Sequence, residues 1–245
     1  MARVVIPLPD RDFDPTETAV PWKVASDAGH EVVFATENGD APACDPLLIT
    51  GVIFGQLGAK PRTLEIYEAL EKDASYTKPM KWKDIDPNAF DALVLPGGHA
   101  QGMKQYLGGD VLHEKVGAFA LTKKPIAAIC HGVLVVARAK NPETKKSVLF
   151  GRKTTCLPKY MERIAYLSTA WKLGRYYRTY DEYVEDEVKA ALEDPSHFVR
   201  GPITLFSHGT DESDDGAFVV EDGAYVSARW PGDAWLFAKK LVERL

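Results

Sequence analysis

Cys130 ends the short apolar run Pro125-Ile126-Ala127-Ala128-Ile129 and is followed at once by His131, Gly132 and a helical stretch from Val133 to Ala139. A strand that turns at a nucleophile straight into a helix lifts that side chain out of the sheet edge. The turn needs small residues two before and two after the nucleophile, because strand and helix approach closely there. Ala128 and Gly132 hold those positions. The pattern is the cysteine counterpart of a serine elbow, and it aims the first amides of the new helix toward whatever the sulfur attacks. The bland alternative for Cys130 is a small buried residue closing a strand, a common place for cysteine.

Two further segments bear on that choice. In Asp14-Pro15-Thr16-Glu17-Thr18-Ala19-Val20-Pro21, Asp14 can cap a helix and Pro15 suits its first position. Pro21 offers no amide to the carbonyl of Glu17, so the helix is expected to be disturbed beside that carboxyl, directly after the first strand. This is the rim where open parallel sheets bind ligands, although a first-turn surface glutamate would read the same way. In the second segment, Asp91 to Met103, an apolar strand ends in Pro96-Gly97-Gly98-His99. Such an end exposes backbone amides, and Gly98 with the His131 amide forms a candidate oxyanion hole. Gly97 and His99 flank it as candidate substrate contacts. Neither a Walker loop nor a dinucleotide fingerprint has this spacing.

The elements that must position these residues follow from periodicity. Apolar, β-branched runs at Arg3–Pro7, Glu31–Ala35, Ala92–Leu95, Ile126–Ile129, Lys153–Cys156 and Tyr225–Ala228 alternate with helical patterns, which predicts a parallel sheet covered on both faces. Leu112, Val116 and Phe119 share one helical face, as do Trp235, Phe237, Ala238, Leu241 and Val242. Asp222-Gly223 between β-prone residues predicts a tight hairpin that adds an antiparallel strand. The segments from about 44 to 90 and from about 165 to 217 read as insertions on a single α/β domain spanning residues 1–245. The aromatic, Arg-rich stretch from Trp171 to Tyr180 suits either a pocket wall or oligomer contact, or an amphipathic helix packed on the body.

Bulk properties exclude several classes. With 45% apolar residues among 245 and a net charge of −5, the chain can build a sizeable core and shows no basic footprint for nucleic acid or an anionic membrane. No apolar stretch approaches the roughly 20 residues of a membrane span, and the apolar run at the N-terminus is too short for a signal peptide. Cys44, Cys130 and Cys156 form no C-x-x-C pair, which suits a reducing, cytoplasmic setting with a free thiol. Cys44 and Cys156 read as bystanders. His208 near Asp211 offers two loose ligands, too few for a metal site, so no metal is expected.

Taken together, Glu17 with Pro21, Leu95-Pro96-Gly97-Gly98-His99 and Ala127-Ala128-Ile129-Cys130-His131-Gly132 resemble the ThiJ/PfpI superfamily over nearly the whole chain. The resemblance implies a flavodoxin-like fold similar to class I glutamine amidotransferase domains, a parallel sheet sandwiched by helices. The Phe34-Ala35-Thr36 strand end and Asp45-Pro46 look most like the larger chaperone and glutathione-independent glyoxalase branch. It further implies that Cys130 is the nucleophile, that a protonated Glu17 hydrogen-bonds its sulfur, and that His131 moves protons. Glu162, after the Gly151–Cys156 run, stands where such proteins place an acid that orients the histidine. Asp211, Glu212 and Asp214 are acidic alternatives. A neutral Glu17 requires a pKa raised by burial and by the neighbouring thiolate.

The activity so implied is glyoxalase III-like: conversion of a 2-oxoaldehyde, a small reactive carbonyl substrate, to a 2-hydroxy acid, with no cofactor. The resemblance also implies a homodimer. A cysteine hydrolase of amidase or peptidase type is the close variant. A redox-sensing stress protein or chaperone uses the same Glu17 and Cys130 pair, with the thiolate oxidised to a sulfinate.

Overall fold

Runs such as Val4-Val5-Ile6 and Ala92–Leu95 have no polar face, so strands made from them must be covered on both sides. In the computed structural model, which describes residues 1–204 and 207–245, they are. Positions 205 and 206 of the expected second insertion lie outside the described residues. The strands are β1 (Arg3–Pro7), β2 (Arg11–Phe13), β3 (Glu31–Thr36), β4 (Ala43–Cys44), β5 (Met80–Lys81), β6 (Ala92–Leu95), β7 (Ile126–Ile129), β8 (Val219–Asp222) and β9 (Tyr225–Ala228). The helices are α1 (Pro15–Asp27), α2 (Pro46–Thr50), α3 (Pro61–Leu70), α4 (Ala74–Thr77), α5 (Met103–Leu107), α6 (Asp110–Leu121), α7 (Gly132–Arg138), α8 (Lys159–Leu173), α9 (Val184–Ala191) and α10 (Ala234–Val242).

Seven strands form one sheet in the order β5-β3-β1-β6-β7-β9-β8. All neighbours are parallel except β8 and β9, which form the expected antiparallel hairpin with Asp222 opposite Tyr225. Helix α1 packs with α3 and α10, and α7 packs with α6 and α9, so the α/β architecture is that of a flavodoxin-like, amidotransferase-like sandwich. The buried stripes are the expected ones: Leu112, Val116 and Phe119 on α6, and Trp235, Phe237, Ala238 and Leu241 on α10. The chain leaves β1 toward β3 on one side and resumes at β6 on the other, which makes the β1–β6 boundary a topological switch point.

Two expectations change. Lys153–Cys156 is not a sheet strand; it makes an isolated parallel bridge, Thr154 to Phe198. The place beside β7 is taken by β9, and the Thr154 and Thr155 groups instead bond the Ser227 hydroxyl at 3.3 and 3.0 Å. Pro21 does not interrupt α1, which runs on to Asp27. The segment from 44 to 90 also contributes β5, which extends the main sheet beside β3.

Candidate active site

Strands β1, β6 and β7 end at the same rim, and the three singled-out segments follow them. Cys130 has φ +58, a left-handed conformation costly for a residue with a Cβ, held here because β7 and α7 are both fixed. Its amide donates to the Ala228 carbonyl at 3.0 Å, locking the elbow to β9. At Gly132 a Cβ would stand 2.1 Å from the Leu95 carbonyl oxygen, so α7 leaves the sheet in contact with the end of β6. Ala128 sits between Leu95 and Ser227 in register. The sulfur is nearly enclosed, with Cys130 only 2% exposed.

Glu17 reaches this point from α1. Asp14 caps the helix by accepting from the amides of Thr16 at 2.7 Å and Glu17 at 3.2 Å. A reciprocal pair then ties α1 to the loop after β6: the Asp14 amide donates to the Gly97 carbonyl at 2.8 Å, and the Gly97 amide donates to Glu17 Oε2 at 2.9 Å. Glu17 Oε1 is buried without a hydrogen-bond partner among the described residues, and the carboxyl lies beside the Cys130 thiol. Burial, with the Asp14 carboxyl adding to it, raises the Glu17 pKa well above the ordinary carboxylate range. The raised pKa favours the protonated carboxyl, the form that can donate to sulfur. Burial also pushes the Cys130 thiol up, and negative charge on Glu17 or Asp14 would add to this, whereas the His131 amide aimed at sulfur lowers it. A proton on Glu17 removes the larger repulsion, so thiolate and neutral carboxyl belong to one charge state.

The His131 ring lies over the same sulfur, with Nδ1 3.6 Å from Cys130 Sγ. Its Nε2 lies 3.5 Å from the Thr179 hydroxyl, which donates to the His99 carbonyl at 2.6 Å. Having given its one proton away, that hydroxyl can only accept from Nε2, which leaves the Nδ1 lone pair turned to the thiol. Burial, and then the positive charge of His99, Arg138 and Arg178, hold the His131 pKa well below 6.5. The ring is thus held toward its neutral form. His99 stands edge-on to it, with ring centroids 4.8 Å apart, and burial lowers its pKa to about 4.

Glu162 lies elsewhere in the network. Its Oε1 accepts from Arg178 at 2.7 Å and its Oε2 from the Val184 amide at 3.0 Å, so both oxygens serve the segment that carries Thr179. Burial raises its pKa to about 6. Of the acidic alternatives, Asp211 pairs with Arg62 at 3.4 Å and Asp214 with Lys239 at 2.9 Å, while Glu212 is exposed. Of the two glycines it is Gly97 that meets the elbow: a Cβ there would stand 2.7 Å from the His131 amide and 2.9 Å from Cys130 Cβ. Gly98 packs on Asp12 and Phe13, and its amide has no acceptor among the described residues. Burial raises the Cys44 thiol to about 12 and also raises that of Cys156, and both stay with local carbonyls.

Sequence reasoning missed Thr179, Arg178, Tyr177 and Asp45. The Tyr176 and Tyr177 hydroxyls donate to Asp45 at 2.9 and 2.8 Å, and the Tyr177 ring stands 6.0 Å from that of His99. Asp45-Pro46 was noticed as a branch mark, but nothing in its spacing announces tyrosines more than a hundred residues on. Trp171, from the same aromatic stretch, is 67% exposed on α8 beside Phe54. The stretch thus divides between a site wall and a solvent-facing helix end.

A cysteine on a strand-to-helix elbow at the rim of a parallel sheet, with a glutamic acid delivered from the first helix, defines an amidotransferase-like α/β protein. Within that class the chain belongs to the ThiJ/PfpI family: the family pattern described as ThiJ/PfpI family-like matches residues 8–202. It is 28% identical over 248 residues to the protein C14C4.04 of Schizosaccharomyces pombe, covering 98% of this chain and 82% of the relative. It is 31% identical over 172 residues to the deglycase TK1284 of Thermococcus kodakarensis, covering 68% of this chain and 69% of the relative. Among solved structures, glyoxalase III of Candida albicans superposes with a TM-score of 0.72 at 19% identity, over 100% of this chain and 97% of that one, a likeness of fold.

Proposed function

We propose that this protein is a cysteine-dependent enzyme for small reactive carbonyl compounds, converting a 2-oxoaldehyde and water to a 2-hydroxy acid without glutathione. The observation that carries the proposal is His131 Nδ1 3.6 Å from the Cys130 sulfur, beside a Glu17 carboxyl whose pKa burial raises. The thiolate of Cys130 adds to the aldehyde carbon, and the carbonyl oxygen takes a proton to give a hemithioacetal. His131 removes the proton from that carbon and returns it to the neighbouring carbon, while the hemithioacetal hydroxyl proton passes to the ketone oxygen, leaving a thioester of the 2-hydroxy acid. Water then cleaves the C–S bond and restores the thiol. A neutral base is required for this shuttle, and oxidation sensing has no use for one. The near-enclosure of Cys130 favours a substrate of a few heavy atoms over a polypeptide, which weighs against peptidase chemistry. The name deglycase among the relatives supports carbonyl adducts as the substrate class.

The test is incubation with methylglyoxal in the absence of glutathione, following D- and L-lactate together with substrate loss. Lactate formed by the wild type and lost in Cys130→Ser is the expected result. Substrate loss without lactate in both proteins would reduce the chemistry to trapping by thiols and amines and overturn the reading.

A further inference from the structure

Three side chains of soft or borderline donor character converge where the carbonyl would bind. The ligating atoms of His99, Cys130 and His131 all lie within 4.8 Å of one another, the one such group of three among the described residues. They come from two segments of one rim, His99 from the loop after β6 and the other two from the elbow after β7, so no spacing in the sequence brings them together. We propose that His99, Cys130 and His131 form a binding site for a thiophilic divalent cation of the zinc type.

Three features of geometry and chemistry support this. First, the 3.6 Å between Cys130 Sγ and His131 Nδ1 is about the edge of a tetrahedron built with a bond of about 2.3 Å to sulfur and about 2.0 Å to nitrogen. Second, His99 Nε2 is buried with no hydrogen-bond partner among the described residues, so a nitrogen of that ring is spent on nothing else. Third, a set of two imidazoles and one thiolate, with no oxygen ligand required, selects Zn2+ over Mg2+ or Ca2+. Three protein ligands leave the fourth position to water, which matches an open rather than a closed zinc site. The outer contacts also exist: Thr179 holds the far nitrogen of His131 and is itself fixed on the His99 carbonyl. Binding exchanges the thiol proton for a metal–sulfur bond, one proton leaving for solvent per ion bound. The cation would then occupy the sulfur lone pair that attacks the carbonyl, so zinc and the carbonyl substrate exclude each other and a chelator restores the free thiol. The site itself does not depend on the carbonyl reading, since the same donors meet whether or not the protein turns over methylglyoxal.

The experiment is a titration of the full, chelator-treated chain with Co2+ as the spectroscopic probe, followed by displacement with Zn2+. One equivalent should bind with a near-ultraviolet sulfur-to-cobalt band, and Zn2+ should abolish that band. The band should vanish in Cys130→Ser and persist in Cys156→Ser, and His99→Ala should weaken binding by more than about tenfold. If His99→Ala does not fold by circular dichroism, wild-type protein alone decides: stoichiometric Zn2+ should protect Cys130 from alkylation, read by peptide mass. Absence of the band at stoichiometric Co2+, its survival in Cys130→Ser, or unprotected Cys130 would each overturn the site. None of these readouts uses lactate formation, so a failed metal site and a failed carbonyl enzyme remain separate results.

Discussion

Burial favours the protonated form of Glu17, and that has a cost which depends on pH. In the unfolded chain its carboxyl ionises near the ordinary value of about 4.3, whereas in the folded protein its pKa is raised well above that range. Between the two values the folded state keeps a proton that the unfolded state has lost. Stability contributed through Glu17 therefore falls as pH rises across that window. His99 and His131 act in the opposite sense: their folded pKa values are lowered, so they weaken the protein as pH falls from about 6.5 toward the His99 value of about 4. Glu17→Gln leaves those histidines in place. It can still accept from the Gly97 amide and donate to sulfur, but it cannot titrate. Melting temperatures measured against pH should coincide for the two proteins near pH 4, and the variant should gain progressively toward pH 8. A difference that stays constant with pH would show that Glu17 does not hold its proton. The position was legible in the sequence because a capping Asp14, Pro15 and Pro21 bracket it after the first strand. A neutral Glu17 is what the family resemblance implies, and the raised pKa it calls for rests on burial that only folding supplies.

At the scale of elements, the elbow is the part of the site most fully written in local sequence. Two small residues around a cysteine imply close contact of strand and helix, and Gly132 makes that contact with backbone atoms of Leu95 and Pro96. Backbone cannot swing aside as a long side chain can. Gly132→Ala should therefore lift α7 from the end of β6, cost about 1–3 kcal/mol in urea unfolding, and disturb Cys130 and His131 together. An unchanged urea midpoint would mean that the contact is looser than the structure describes. Lys153–Cys156 shows the limit of the same kind of reading. Its β-branched residues suit a strand, but which segment lies beside β7 is settled by competition for that edge, and β9 with its hairpin wins. Thr179 was not legible for a related reason: its role depends on a hydroxyl that meets His131 across 48 residues of chain, with no period or motif to mark it.

Across the whole molecule, the site has a roof assembled from distant segments. Residues 175–183 are pinned from three directions. Gln101 donates to the carbonyls of Arg175 and Arg178 at 2.8 and 2.7 Å, Glu162 accepts from Arg178 at 2.7 Å, and Asp45 accepts from Tyr176 and Tyr177. The product of this convergence is the seat of Thr179 against His131 and of Tyr177 against His99. Glu162, expected as the direct partner of the histidine, thus touches this arrangement through Arg178. Of these pins, Asp45 also accepts from the Leu47 amide at the start of α2, through its Oδ1 at 2.9 Å. Asp45→Ala would leave two tyrosine hydroxyls without their acceptor, a cost of about 1–3 kcal/mol for each one that stays buried. That loss should be local, because β1, β6 and β7 take no hydrogen bond from Asp45. Amide exchange in Asp45→Ala should accelerate over residues 173–181 while the three central strands keep their protection, and lactate formation should fall as Thr179 loses its seat. Uniform acceleration across the sheet would make Asp45 an ordinary stabilising residue. Unchanged exchange at the roof would remove the link between the tyrosine pair and the histidine.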